Sequence, residues 1–229
     1  MPLQKVNLGF NGIMIIQSLK DDESQTGEWL YNDIVRRLCD REKMIPGFVN
    51  IETKNEFIEG LYETLFEHHQ KYGVRPFLHF EIHGDEEGLL LCKGERVTWS
   101  EFGAFTRKIN RFLNNELFIS LATCKGAHCL KGIDPTIIAP FWGMVGPLND
   151  IFNYEVVEDF TAFYQELLTS FDLQASIDAL NNSNVRTPYV FMTAEKVFEV
   201  YIEQELLAAR GSELNTFIEQ CKKTYLMKN

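Results

Sequence analysis

Two residues stand where a reactive side chain is useful. His83 follows the apolar run Phe77–Ile82, and Cys124 follows the apolar run Leu117–Ala122. A thiol becomes a strong nucleophile when a base takes its proton, and imidazole titrates in the right range for that task. The two types together supply what covalent catalysis needs at minimum, a nucleophile and its general base. Gly84, beside His83, lets the backbone come close to a substrate. Its N–H and that of Cys124 would form an oxyanion hole, whose donors typically contribute about 3–4 kcal/mol each. Spacing alone leaves blander readings open. A histidine before a glycine is commonly a turn residue, and a cysteine at a strand end is commonly a small buried hydrophobe.

For the pair to act together, the two apolar runs must be parallel neighbours, so that both side chains emerge at one edge of a sheet. A parallel pair needs a crossover between its strands. The segment Thr98-Trp99-Ser100-Glu101 has the spacing of a capping box and predicts a helix from there to about Leu113. Within the first run, Leu78, Phe80 and Ile82 share one face, while Phe77, His79 and Glu81 share the other. Leu89–Cys92 and Arg96–Thr98 flank Lys93-Gly94-Glu95 and predict a small hairpin.

Further strands are predicted at Gly12–Leu19, Phe48–Glu52, Ile137–Val145 and, as an edge, Tyr189–Met192. Helical spacing of apolar residues covers Glu28–Cys39, Lys54–His69, Tyr154–Thr169, Leu173–Leu180 and Thr193–Ala209. Gly211-Ser212 reads as a stop and a fresh N-cap, with a final helix to about Tyr225. Asp21, Asp22 and Glu23 read as a solvated loop. Strands alternating with helices predict an α/β fold with a mostly parallel sheet covered on both faces, and function gathered beyond the C-terminal strand ends.

The 229 residues, 45% hydrophobic and 24% charged, suit one globular domain. The net charge of −11, with no block of Lys and Arg, disfavours nucleic acid and anionic membrane as partners. Five cysteines at irregular spacing argue against a disulfide framework and for a reducing compartment. No apolar run reaches membrane-spanning length. The expectation is a cytoplasmic protein that needs no cofactor.

The ordered segments carry a resemblance. Phe80-Glu81-Ile82-His83-Gly84, then Gly88-Leu89-Leu90-Leu91, then Leu117-Phe118-Ile119-Ser120-Leu121-Ala122-Thr123-Cys124 resembles the CHAT family of caspase-like peptidases, in the clan of caspases, separases and gingipains. Downstream, Ile138–Val145 occupies the place of that family's next core strand. Phe160–Leu168 looks like the helix that follows it. The likeness covers about Arg75 to Leu180. It implies a caspase-like three-layer α/β/α sandwich with a small β-hairpin insertion. The whole chain, 1–229, would be one peptidase domain, with a core over 12–194 and C-terminal helices over 195–225. His83 would be the base and Cys124 the nucleophile. Lys125-Gly126 follows the cysteine where family members often carry an acidic or hydroxyl residue. The TPR repeats that commonly accompany such domains are absent, so an activator or sensor is expected on a separate chain or in the N-terminal segment.

By similarity to separase-like relatives, Asp150 would line the S1 pocket and select Arg or Lys at P1, since a carboxylate suits a guanidinium. The plain alternative is a loop residue or helix cap. Asp85, Glu86 and Glu87 would attract a basic substrate or support the His83 imidazolium, or simply form a solvated turn. His79 and Glu81 would orient groups beneath the site, or be ordinary partly exposed strand positions. Cys124, His128 and Cys129 fit no common zinc spacing and lack an evident fourth ligand, so no metal is expected. His68-His69 reads as a solvated helix end, and Trp99 and Trp142 as core.

The leading expectation is therefore a cysteine endopeptidase acting on a protein substrate, with family association pointing to bacterial stress or antiviral defence. Two readings from other classes stay beside it: a catalytically idle interaction module that keeps the fold, and a thiol hydrolase acting on a small acyl substrate.

Overall fold

Short apolar runs bounded by turns become buried strands when both of their faces can be covered. The computed structural model describes residues 9–183 and 187–208. In it, β1 (Gly12–Ser18), β2 (Ile45–Asn50), β3 (Pro76–Gly84), β6 (Phe118–Leu121) and β7 (Gly143–Pro147) run parallel. A final strand, β8 (Tyr189–Thr193), runs antiparallel along β7. The spatial order is β2-β1-β3-β6-β7-β8. Pro46 lies on the edge strand β2, where its missing N–H interrupts little. The predicted hairpin is β4 (Gly88–Leu90) with β5 (Arg96–Thr98), attached to the end of β3.

Helices cover the sheet on both sides. Helix α1 spans 26–42, with a π-helical stretch at Leu30–Val35, and α2 spans 56–72. They are followed by α3 (Trp99–Phe112), α4 (Asn153–Ser170), α5 (Leu173–Ser183) and α6 (Ala194–Ala208). Two apolar cores result. One joins Ile16, Leu78, Phe80, Ile82, Ile119 and Leu121 of the sheet to α2 and α3. The other joins Ile13, Ile15, Phe77, Phe118 and Val145 to α1, α4 and α5. The alternation read along β3 is thus the alternation between the two layers of a three-layer α/β/α sandwich. The predicted final helix lies outside the described residues.

The crossovers explain where a crevice opens. After β1 the chain leaves along the α1 side of the sheet, and after β3 it leaves along the α3 side. Successive connections that part to opposite faces open a gap at the C-terminal strand ends, the usual place for a site in such sheets.

One strand differs from expectation. Ile137 and Ile138 are exposed, and β7 starts only at Gly143. Pro140 lacks the N–H a central ladder needs. The carbonyls of this stretch are taken by side chains of α3 instead: Ile138 accepts from Arg107 Nε at 2.6 Å and Ala139 from Asn110 Nδ2 at 2.9 Å.

The capping box at the start of α3 is present in full. The Thr98 hydroxyl accepts from Glu101 N, and Glu101 Oε2 accepts from Thr98 N. Thr98→Ala is expected to lower unfolding stability by about 1 kcal/mol. Urea unfolding checks this as a lower midpoint with an unchanged slope.

Candidate active site

β3 and β6 are adjacent and parallel, with Phe80 level with Leu121. The ladder ends with Ala122 N donating to Phe80 O at 2.9 Å, so β3 runs on to His83 and Gly84 while the chain turns at Thr123-Cys124. Alternation sets the face of the strand residues. On β3, Phe77 belongs to the α1/α4 layer, so His79, Glu81 and His83 point that way. On β6, Phe118 belongs to the same layer, and Ser120 follows it, facing Tyr164 of α4. His83 and Cys124 thus both lie at the C-terminal edge of the sheet, one at the end of β3 and the other on the turn after the adjacent strand β6.

Cys124 is half-buried, and its Sγ meets Ile151 just ahead of α4. The Ile151 N–H donates to Sγ at 3.5 Å, and the thiol approaches the Ile151 carbonyl at 3.6 Å. An anionic sulfur here would be met by a donor. Among the described residues the N–H of Cys124 donates no hydrogen bond. Gly84 packs against the same turn. A Cβ there would overlap the Thr123 side chain and come within 3.1 Å of the Cys124 carbonyl oxygen.

Other thiols are placed differently. Cys39 and Cys129 are buried, and burial pushes both thiols up, Cys39 to about 12. Cys129 packs in the α2/α3 core, away from Cys124, so the Cys124, His128, Cys129 set does not converge on one point. Cys92 is half-buried and lines a polar hollow of about 190 Å3 beside the ends of β1 and β2. No histidine lines that hollow. All four described cysteines are free.

His83 is exposed, and its Nε2 lies 3.0 Å from Glu23 Oε1. Glu23 belongs to the loop between β1 and α1, which runs over the face that His83 points to. Asp21, Asp22 and Glu23 form the expected solvent-facing loop, and Glu23 reaches His83 from it. The usable signal was position: an acidic loop after the first strand returns to the same sheet edge.

His79 and Glu81 are not partly exposed; they are 0% and 2% accessible. Glu81 Oε1 accepts a short hydrogen bond from Thr26 Oγ1, and Oε2 lies 3.0 Å from His79 Nε2. His79 Nδ1 lies 2.8 Å from Ser120 Oγ, which is 3.1 Å from the Tyr164 hydroxyl. This chain joins α1, β3, β6 and α4 directly beneath the edge. Gln17 extends the polar layer on β1, bonding Gln25 and Asn50.

The three acidic residues after Gly84 divide their roles. Asp85 forms a two-pronged pair with Arg96 at 2.5 and 2.7 Å and accepts from the N–H groups of Glu87 and Gly88. It ties the hairpin together. Glu86 bonds Lys125 Nζ at 3.2 Å, joining the turn after His83 to the turn after Cys124. Glu87 lies 3.7 Å from Arg96 at the rim. Asp150 is an exposed loop residue, two positions before the N-cap of α4. Its neighbours hold it beside the cysteine: Asn149 O accepts from Lys125 N at 2.9 Å, and Ile151 bonds Cys124. Lys125 is held protonated first by Glu86 and then by the charge of Asp150. Trp99 is core, whereas Trp142 is only half-buried against the α4 layer, His68 is exposed, and His69 Nδ1 bonds Val74 O at 2.9 Å.

No helix among the described residues is long and apolar enough to cross a membrane. No known family model and no curated protein matches the chain. Among solved structures, one titled "Structure of Protease" superposes with a TM-score of 0.45 at 13% identity, covering 83% of this chain and 46% of that one. A carbon–sulfur lyase involved in aluminium resistance from Clostridium novyi NT gives a TM-score of 0.36 at 9% identity, covering 86% and 46%. The chain spans about half the length of each. Likenesses this distant carry no argument about function.

The Asp85–Arg96 pair makes a pH prediction. The guanidinium draws the Asp85 carboxyl down from 3.8 to about 2. Because the folded value is the lower one, the stabilisation is present above pH 3.8 and is lost as pH falls through about 2. Wild type should exceed Asp85→Asn in urea stability near neutrality, and the gap should close over that acid window.

Proposed function

We propose that this chain is a cysteine endopeptidase with Cys124 as nucleophile and His83 as general base. The observation that supports the reading is that His83 ends β3 and Cys124 lies on the turn after the adjacent parallel strand β6, at the same edge of the sheet. The likeness of the segments around them to CHAT peptidases points the same way, and the sandwich with its hairpin has the architecture which that likeness implies.

In this mechanism His83 takes the thiol proton and the sulfur attacks a peptide carbonyl, forming the S–C bond. The resulting oxyanion is met by the N–H groups of Cys124 and Gly84. Collapse breaks the C–N bond, and His83 returns its proton to the leaving amine. Water, deprotonated by the same imidazole, then hydrolyses the acyl-enzyme and regenerates the thiol. The substrate is a protein partner. Its P1 residue is Arg or Lys, selected by Asp150, whose exposed carboxylate is held beside the cysteine turn. A separate activator chain controls access, and the setting is bacterial stress or antiviral defence.

A diverse peptide library tests the reading. Wild type should cleave after Arg or Lys. Cys124→Ala should abolish turnover, and His83→Ala should reduce it by about a hundredfold to ten-thousandfold. Cleavage that persists in Cys124→Ala sinks the mechanism. Asp150→Asn should lower kcat/KM for basic P1 residues by about tenfold to a hundredfold and leave neutral ones unchanged. If the resting protein cleaves no peptide, labelling by a peptide acyloxymethyl ketone decides: loss of labelling in Cys124→Ala supports the reading. Hydrolysis of small acyl esters but of no peptide would favour the small-molecule alternative, and a wild type that is never labelled would favour the idle module.

A further inference from the structure

The pair formed by His83 and Glu23 is better organised than an exposed ion pair needs to be. Surface pairs of this kind add little to stability, yet the carboxylate is fixed from behind. Glu23 Oε2 accepts the Lys20 N–H at 2.8 Å, and Glu23 N donates to Lys20 O at 3.0 Å. Gln25 Nε2 bonds the carbonyls of Lys20 and Glu23 at 2.7 and 2.9 Å. One residue further on, Thr26 is bonded to buried Glu81. The loop is thereby pinned at both ends, with Oε1 left to face the imidazole.

We propose that Glu23 is a positioning residue for His83: it accepts the Nε2–H, so that Nδ1 keeps the lone pair that takes the thiol proton. Among the described residues Nδ1 makes no hydrogen bond. When the thiol proton moves to Nδ1, the ring becomes an imidazolium, and the Glu23 carboxylate faces the new charge without itself accepting a proton. The backbone N–H of Lys20 holds the Glu23 carboxyl below its ordinary value, which keeps it ionised for that role. The inference rests on the reading of His83 as base for Cys124. It adds a third member, supplied by the loop that leaves the sheet on the face where His83 emerges.

The test uses the full chain with 15N-labelled histidine, together with steady-state kinetics. The His83 imidazole N–H proton, assigned by its loss in His83→Asn, should be visible in wild type. It should persist in Glu23→Gln, whose amide oxygen still accepts, and vanish in Glu23→Ala. On a cleaved peptide, Glu23→Gln should lower kcat by about tenfold with KM unchanged. Glu23→Ala should lower it further, and Glu23→Asp should recover part of the loss. A His83 signal that is the same in wild type and Glu23→Ala overturns the proposal, as does an unchanged kcat. The spectroscopic arm needs no turnover. If Cys124 proves not to be the nucleophile, the imidazole signal still shows whether Glu23 holds His83, so the two failures are told apart.

Discussion

A carboxyl group shut away from water is costly unless hydrogen bonds meet it, and Glu81 is the one on which this structure turns. Leaving it unpaired would cost several kcal/mol. The Thr26 hydroxyl and the His79 ring meet it, and His79 is braced by Ser120 and Ser120 by Tyr164. Phe160 and Tyr164 stand edge-on to the His79 ring, at 4.7 and 5.6 Å between centroids. Each member restricts the next. The start of α1, the upper half of β3, the end of β6 and the middle of α4 are therefore tied to one another by directional bonds. Both proposed dyad strands and the loop bearing Glu23 are set by that layer. A wholly apolar layer would supply burial without such directional constraint.

Above this layer, topology decides what is exposed. The chain leaves β1 on one face and β3 on the other, so the crevice between them belongs to no crossover. His83 projects toward the α1 side of that gap, Gly84 toward the α3 side, and the hairpin closes the end. On the β6 side the turn after Ala122 brings Cys124 against the segment that starts α4. The proposed base thus ends a strand and the proposed nucleophile sits on the turn after its neighbour, both braced by rigid elements.

Much of this was legible in the chain itself because it depends on local pattern. The faces of β3, the hairpin around Lys93-Gly94-Glu95 and the capping box at Thr98 all follow from spacing. What could not be read depends on partners far away in the sequence. Glu81 resembles any polar strand position until Thr26 and His79 are seen to answer it. Glu23 resembles any acidic loop until the strand order brings it to His83, sixty residues on. The apolar stretch before Gly143 misled in the opposite sense. Ile137 and Ile138 are hydrophobic enough for a strand, but Pro140 and the α3 side chains give their backbone another home.

The bridge between Lys125 and Glu86 has a consequence of its own. It ties the turn behind the proposed base to the turn behind the proposed nucleophile. Glu86 is exposed and Lys125 partly so, which makes it a latch and not a lock. Dissolved ions weaken such a contact. Ionic strength would thus act on how tightly the two turns are held together while leaving the buried layer beneath them untouched.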